Sequence, residues 1–220
     1  MSKSIDRRGF LKKSVIASAG ASFGLSHNEK TVSANESVVP ALDVSNNTLP
    51  MGSIGNVKFS RLIAGGNPFS GWSHSRDLKY ISELFKAYST DEKIFQTLQM
   101  YEENGINTIL AGSVRVLEKY WKERGGKIQW IAQTHPKAND LTTKIKRAID
   151  KGAIAAYVQG GIGDKWVKNN RVDLLARTVE FIKQNGIPAG IGAHSIEVPI
   201  ACEKAGVEAD FYMKTLHHGD

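Results

Sequence analysis

At 220 residues, with 41% apolar and 23% charged side chains, the chain has the composition of one globular domain long enough to bury a core. Its net charge of +7 is unevenly placed: residues 1–34 carry six Lys/Arg and two Asp/Glu, which leaves +3 for everything after them. No basic run with interleaved aromatics occurs in that remainder, so nucleic acid is excluded as an expected partner.

The first segment pairs Arg7 with Arg8, continues through Phe10, Leu11 and Lys12, and then runs weakly apolar from Val15 to Leu25. That run is too short to span a bilayer. With the small residues Val32, Ser33 and Ala34 available to a peptidase, residues 1–34 resemble a twin-arginine (Tat) signal peptide. The resemblance implies a bacterial cargo folded before export, a transient encounter with the Tat translocase, and a periplasmic or secreted product. The segment has no cysteine, so no lipid anchor and no stable membrane attachment are expected. Residues 35–50 are polar and aperiodic, with Pro40 and Pro50, and read as a linker.

From Met51 onward the sequence alternates apolar strand, turn and amphipathic helix, the pattern of parallel β/α units. Six strands are expected, over Arg61–Gly66, Ile106–Leu110, Ile128–Thr134, Ala153–Gln159, Pro188–His194 and Asp210–Thr215. Between the first two, Thr90 is placed to cap a helix, with Asp91 and Glu92 in its first turn and Ile94, Leu98 and Tyr101 on one face. A second helix carries Leu174, Leu175, Val179 and Ile182 on one face and stops at Gly186. Strands buried on both sides fit an α/β barrel or a doubly wound sheet.

Residues Met51–Gly71, "MGSIGNVKFSRLIAGGNPFSG", resemble the opening of the aldo/keto reductases, in which a hairpin plugs the barrel bottom and the first strand ends in glycines. "EENGINTI", "PAGIGAHS" and "DFYM" fall where that family has its second, fifth and sixth strands. The implied fold is α/β, a (β/α)8 TIM barrel of the aldo/keto reductase type, apparently truncated after its sixth strand because such a barrel needs about 250 residues. NADP is the cofactor the family implies, with its main phosphate site beyond Asp220. The family's catalytic Asp, Lys and His correspond here to Leu110, Thr134 and Gln159, and its Tyr has no clear counterpart, so a conventional reductase mechanism is not expected.

Active sites of such barrels lie at the carboxyl ends of the strands. Period-2 alternation is read with Phe211, Met213, Ile191, Ile154 and Val158 toward the helices, and Tyr212, Lys214, His194, Tyr157 and Gln159 toward the barrel. Gln133 and His135 share one side of the third strand. Five polar side chains thus converge at the mouth, namely Gln133, His135, Gln159, His194 and Lys214. Expected substrate-binding residues are Gln133, His135, Gln159, Tyr212 and Asn67, the last on a long loop after the first strand that also holds Trp72, His74 and Arg76. Expected catalytic residues are Lys214, His194 and His217. His135, His194 and His217 lack the paired spacing of a metal site, and none is expected. "QGGIGD", Gln159–Asp164, reads as a glycine turn able to cradle an anion. Cys202 reads as a buried inert thiol.

Three functions remain open: an exported enzyme acting on a small carbonyl-bearing or sugar-like molecule, oxidoreductase-related in fold; a lyase; and a non-catalytic periplasmic binding barrel. The lyase rests on "DFYMKT", which resembles the lysine-bearing sixth strand of deoxyribose-phosphate-type aldolases and implies a Schiff base at Lys214.

Overall fold

The computed structural model describes residues 49–73 and 77–216. The expected signal segment, nearly all of the expected linker, His74, Arg76 and His217 lie outside the described residues. Strands β1 (Met51–Ile54) and β2 (Val57–Ser60) form an antiparallel hairpin whose turn uses Gly55 at φ 58°, a backbone region that favours glycine. Then come β3 (Ala64–Gly65), a 3₁₀ turn (Pro68–Ser70), α1 (Tyr80–Tyr88), α2 (Asp91–Glu103), β4 (Thr108–Ala111), α3 (Arg115–Arg124), β5 (Gln129–Thr134) and α4 (Thr143–Asp150). The rest is β6 (Ala155–Val158), α5 (Gly160–Lys168), α6 (Val172–Gln184), β7 (Ala189–Ala193), α7 (Glu197–Lys204) and β8 (Phe211–Lys214).

β3 to β8 form one parallel sheet in strict sequence order. A doubly wound sheet reverses its strand order in the middle so that helices cover both faces. No reversal occurs here, and right-handed crossovers therefore bring every helix to the same face. The buried side chains divide accordingly. Ile109, Trp130, Val158 and Ile191 pack outward with the helices, whereas Ile131, Ala155 and Tyr157 pack inward against Phe59 of the hairpin. The result is a curled six-stranded sheet, a half-barrel with its helices outside.

The hairpin sits at the amino-terminal end of this sheet. Asn107, just before β4, accepts from the Ser60 amide at 2.9 Å and donates to the Lys58 carbonyl at 3.2 Å; Gln129, opening β5, donates to the same carbonyl at 3.1 Å. This leaves the carboxyl-terminal end of the concave face to be lined by loops and strand ends. Helix α2 forms as its sequence directs: the Lys93 amide donates to Thr90 Oγ1 at 3.3 Å, Asp91 and Glu92 occupy the first turn, and Ile94, Phe95 and Leu98 are buried. Helix α6 buries Leu174, Leu175, Val179 and Ile182 on its predicted face.

Three expectations need correction. Residues 160–168 are helix α5 rather than a glycine turn, with Gln159 as its N-cap. Ile154 packs with the inner cluster instead of toward the helices. The faces of β8 are also reversed: Phe211 and Met213 join the inner cluster, while Tyr212 packs outward and donates from its hydroxyl to Glu203 of α7 at 2.8 Å. The cause is Gly190 on the neighbouring strand. A Cβ there would lie 2.3 Å from the Phe211 ring, so the missing side chain is the space that ring fills. Cys202 is buried in α7, its thiol pushed up to about 11 by burial and by Glu203.

Candidate active site

Strand registers align the inward side chains in rows across the sheet. Gln133 pairs with Tyr157, Tyr157 with Gly190 and Gly190 with Phe211. Gly112 extends the row beside Gln133, since a Cβ on it would lie 3.8 Å from Gln133 Nε2. Tyr157 is buried and its hydroxyl donates to Gln133 Oε1 at 2.6 Å, while burial raises the phenol well above its ordinary range. Its ring meets that of Phe211 at 6.4 Å between centroids. Further toward the carboxyl ends come His135, Gln159 and His194. His135 is exposed, and partial burial together with the Lys144 ammonium lowers its pKa, so the ring is uncharged at neutral pH. Gln159 spends its carbonyl oxygen on the Ile162 amide, 3.1 Å away, as the cap of α5.

His194, directly after β7, is the most organised polar group of the face. Its Nδ1 lies 2.7 Å from Asp164 Oδ2, and its backbone amide and that of Ser195 donate to Asp164 Oδ1 at 3.0 and 3.1 Å. Burial pushes the Asp164 carboxyl up, but the Ser195 amide, the His194 ring and the His194 amide outweigh it, and the carboxyl titrates below its ordinary 3.8. An ionised Asp164 accepts, so Nδ1 carries the proton and Nε2 presents its lone pair. Nε2 makes no hydrogen bond with any described residue. Such an oriented imidazole can take up and return protons.

Asp164 reaches His194 because α5 lies directly against β7. A Cβ on Gly163 would fall 2.3 Å from the Gly192 carbonyl oxygen, and one on Gly192 would fall 2.6 Å from the Val158 carbonyl oxygen. The glycines of "GGIGD" therefore serve close approach of helix to strand. His194 is an expected site residue and Asp164 is not; the signal present in the sequence was an acid beside a glycine in the glycine-rich helix that follows β6.

The other expected site residues are placed as follows. Asn67 is exposed at the start of the 3₁₀ turn, and its side chain makes no capping hydrogen bond. Tyr212 faces α7, not the concave surface. Lys214 pairs in register with Ala193, whose side chain is buried on the helix side, and its ammonium donates to the Thr215 carbonyl. β8 therefore does not aim this amine into the barrel. His217 lies outside the described residues. Among the described residues no cluster of three His, Cys, Asp or Glu side chains is arranged to hold a metal, and no helix is long and apolar enough to cross a membrane. A groove of about 460 Å³ beside Arg177 and Asp140 and a pocket of about 140 Å³ beside Asp91 and Arg115 are lined by none of His194, Gln133 and Tyr157, so the convergent side chains and not these cavities mark the candidate site.

The acid behaviour of Asp164 is testable. Its folded pKa is depressed, so the stability it contributes is fully present above its unfolded value near 3.8 and is lost as pH falls through the lower folded value. The difference in unfolding midpoint between wild type and Asp164→Asn should shrink as pH falls below 4; a difference that persists unchanged from pH 5 to pH 2 would show that the carboxylate is not held as described.

A scan against protein-family models matches none to this chain, and a search of curated proteins finds no relative.

Proposed function

We propose that the chain is an exported barrel-type enzyme that moves a proton on a small carbonyl-bearing or sugar-like substrate, with His194 as the proton-transfer group and Asp164 as its orienting partner. The observation that carries this reading is the 2.7 Å contact between His194 Nδ1 and an ionised Asp164 at the carboxyl-terminal edge of the sheet, with Nε2 left free. In the step envisaged, Nε2 takes the proton from a carbon next to a carbonyl. The C–H electron pair moves into the enolate, the imidazole becomes imidazolium, and Asp164 stabilises that charge through Nδ1–H. On an α-hydroxy carbonyl, returning the proton to the former carbonyl carbon, with the hydroxyl proton passing to the former carbonyl oxygen, would isomerise the substrate.

The finer fold assignment, a barrel of the aldo/keto reductase type, is supported by the hairpin at the amino-terminal end and by the sequential strand order. The described inward strand positions, from Leu110 and Gln133 through Tyr157 and Gly192 to Met213, carry no Lys or Arg, and no hydride step is derived. The test is incubation of the protein in D₂O with dihydroxyacetone, glyceraldehyde, erythrulose and xylose. Exchange at the carbon beside the carbonyl supports the enzyme; affinity without exchange would leave a binding barrel.

Export belongs to the same proposal. Changing Arg7 and Arg8 together to Lys should hold the protein in the cytoplasm, while the wild type should lose about its first 34 residues, by the small-residue cleavage rule. Fractionation with N-terminal sequencing decides this, and periplasmic delivery of the double variant would remove the twin-arginine reading.

A further inference from the structure

Resting on the reading that His194 acts on a ligand held against the concave face, we infer that Gln133 is the specificity residue of that site and that the ligand is uncharged, binding through a carbonyl or hydroxyl oxygen that accepts from Gln133 Nε2. Three features on the same row carry this. First, the orientation of the amide is fixed. Tyr157 is buried among Phe59, Ile131 and Ala155 and donates to Gln133 Oε1 at 2.6 Å, so the carboxamide presents its two N–H groups away from the tyrosine. Second, those N–H groups are available. Nε2 makes no hydrogen bond with a described residue, no buried polar side-chain atom among them lacks a partner, and Nε2 is therefore open to solvent. Gly112, just after β4, keeps the neighbouring position free of any side chain. Third, the surroundings are apolar, with Leu110, Ile131, Phe211 and Met213 on the same face, and no Lys or Arg stands among the described inward strand positions.

A neutral donor in such surroundings suits an acceptor oxygen that brings no charge. A carboxylate or phosphate would lose its hydration against Leu110, Phe211 and Met213 with no counter-ion to replace it. The aromatic ring of Phe211, seated over Gly190, offers an apolar wall of the kind that packs against the C–H face of a sugar or short polyol. The rise of about 3.3 Å per residue along a strand puts His194 about 13 Å along β7 from the Gly190 row. Gln133 lies two strands away across the sheet, about 10 Å further, so the two polar ends stand about 16 Å apart at the backbone, one end read by Gln133 and the other worked on by His194.

The inference is tested on the full chain by calorimetric titration with xylose, glucose and erythrulose, each against a charged counterpart: xylonate, glucose 6-phosphate and erythrulose 4-phosphate. At least one neutral compound should bind, its charged counterpart about tenfold or more weaker. Gln133→Leu, which keeps the volume and loses the donor, and Gln133→Glu, which replaces it by an anion, should each weaken the neutral ligand about tenfold or more, while Tyr157→Phe, which frees the amide to rotate, should weaken it less. Circular dichroism melts identify any variant that fails to fold, and the two Gln133 substitutions must agree. Equal or tighter binding of the charged counterparts, retained affinity in both Gln133 variants, or no binding of any neutral compound would overturn the inference. Binding with this selectivity but without deuterium exchange would overturn the proton-transfer reading alone.

Discussion

Gly163→Ala should lower the stability of the protein by about 1–3 kcal/mol, the usual range for overpacking. The added methyl would lie 2.3 Å from the Gly192 carbonyl oxygen. A backbone atom in a central strand cannot rotate aside as a side chain can, so α5 must move outward by more than an ångström. For a chain of this size, about 2–4 °C of melting temperature is lost per kcal/mol, which makes the shift easily measured. The same movement carries Asp164 away from His194, because the two glycine-lined surfaces are what bring them together. Gly161→Ala is the control. Its methyl meets only the Gln159 side chain, at 3.2 Å from Oε1, and the position has ordinary helical geometry. It should melt within a degree or two of wild type. If Gly163→Ala melts there too, the helix is not packed on β7 as described.

His194→Gln should reduce the rate of proton exchange in the carbonyl panel by about 10²- to 10⁴-fold, the usual worth of a positioned general base. Glutamine retains hydrogen-bonding capacity and removes the basic nitrogen. Asp164→Asn is the more revealing variant. An asparagine amide can donate to Nδ1, which moves the imidazole proton to Nε2 and leaves the wrong nitrogen basic. Its exchange rate should therefore fall by at least about tenfold with substrate affinity little changed, and histidine ¹⁵N shifts should report the changed tautomer. Full activity in Asp164→Asn would show the contact to be structural, a clasp for the loop after β7. Unimpaired exchange in His194→Gln would place the chemistry on another group.

The half-barrel was legible because its strands are written as contiguous apolar runs. "IQWIAQT" and "AIAAYVQ" are buried on both sides, so their residues had to form interior strands, and the helices between them announced caps and faces at Thr90 and along Leu174–Ile182. The edges of this legibility have physical causes. In β8 alternation separates Phe211 and Met213 from Tyr212 and Lys214 but does not say which set faces the helices. The choice was made by Gly190, which precedes β8 by more than twenty residues and whose empty side creates the space for Phe211. In "QGGIGD" the glycines suggested a turn, since sequence shows a missing side chain but not what occupies the vacated space. That occupant is the backbone of β7. Gln159 was chosen for its place at a strand end, where the fold uses it to cap a helix. Helix α1 was obscured by the Pro68, Ser70 and Gly71 cluster before it, and its stripe of Tyr80, Leu84 and Tyr88 is largely exposed, so it lacks the burial that usually makes a helix conspicuous.

The sequential order of β3 to β8 bears on how quickly the fold can be reached. Each strand finds its hydrogen-bonding partner in the strand that immediately follows it, so no pairing in the parallel sheet waits for a remote segment, and the loop-closure entropy of each addition is modest. Assembly can proceed unit by unit from any adjacent pair. The hairpin is different: its Lys58 carbonyl is held by Gln129, 71 residues away in sequence, and that lock can close only when β4 and β5 already lie side by side. The bottom of the barrel is therefore a late event on the folding path, and substitutions at Asn107 or Gln129 should speed unfolding while leaving the refolding rate nearly unchanged.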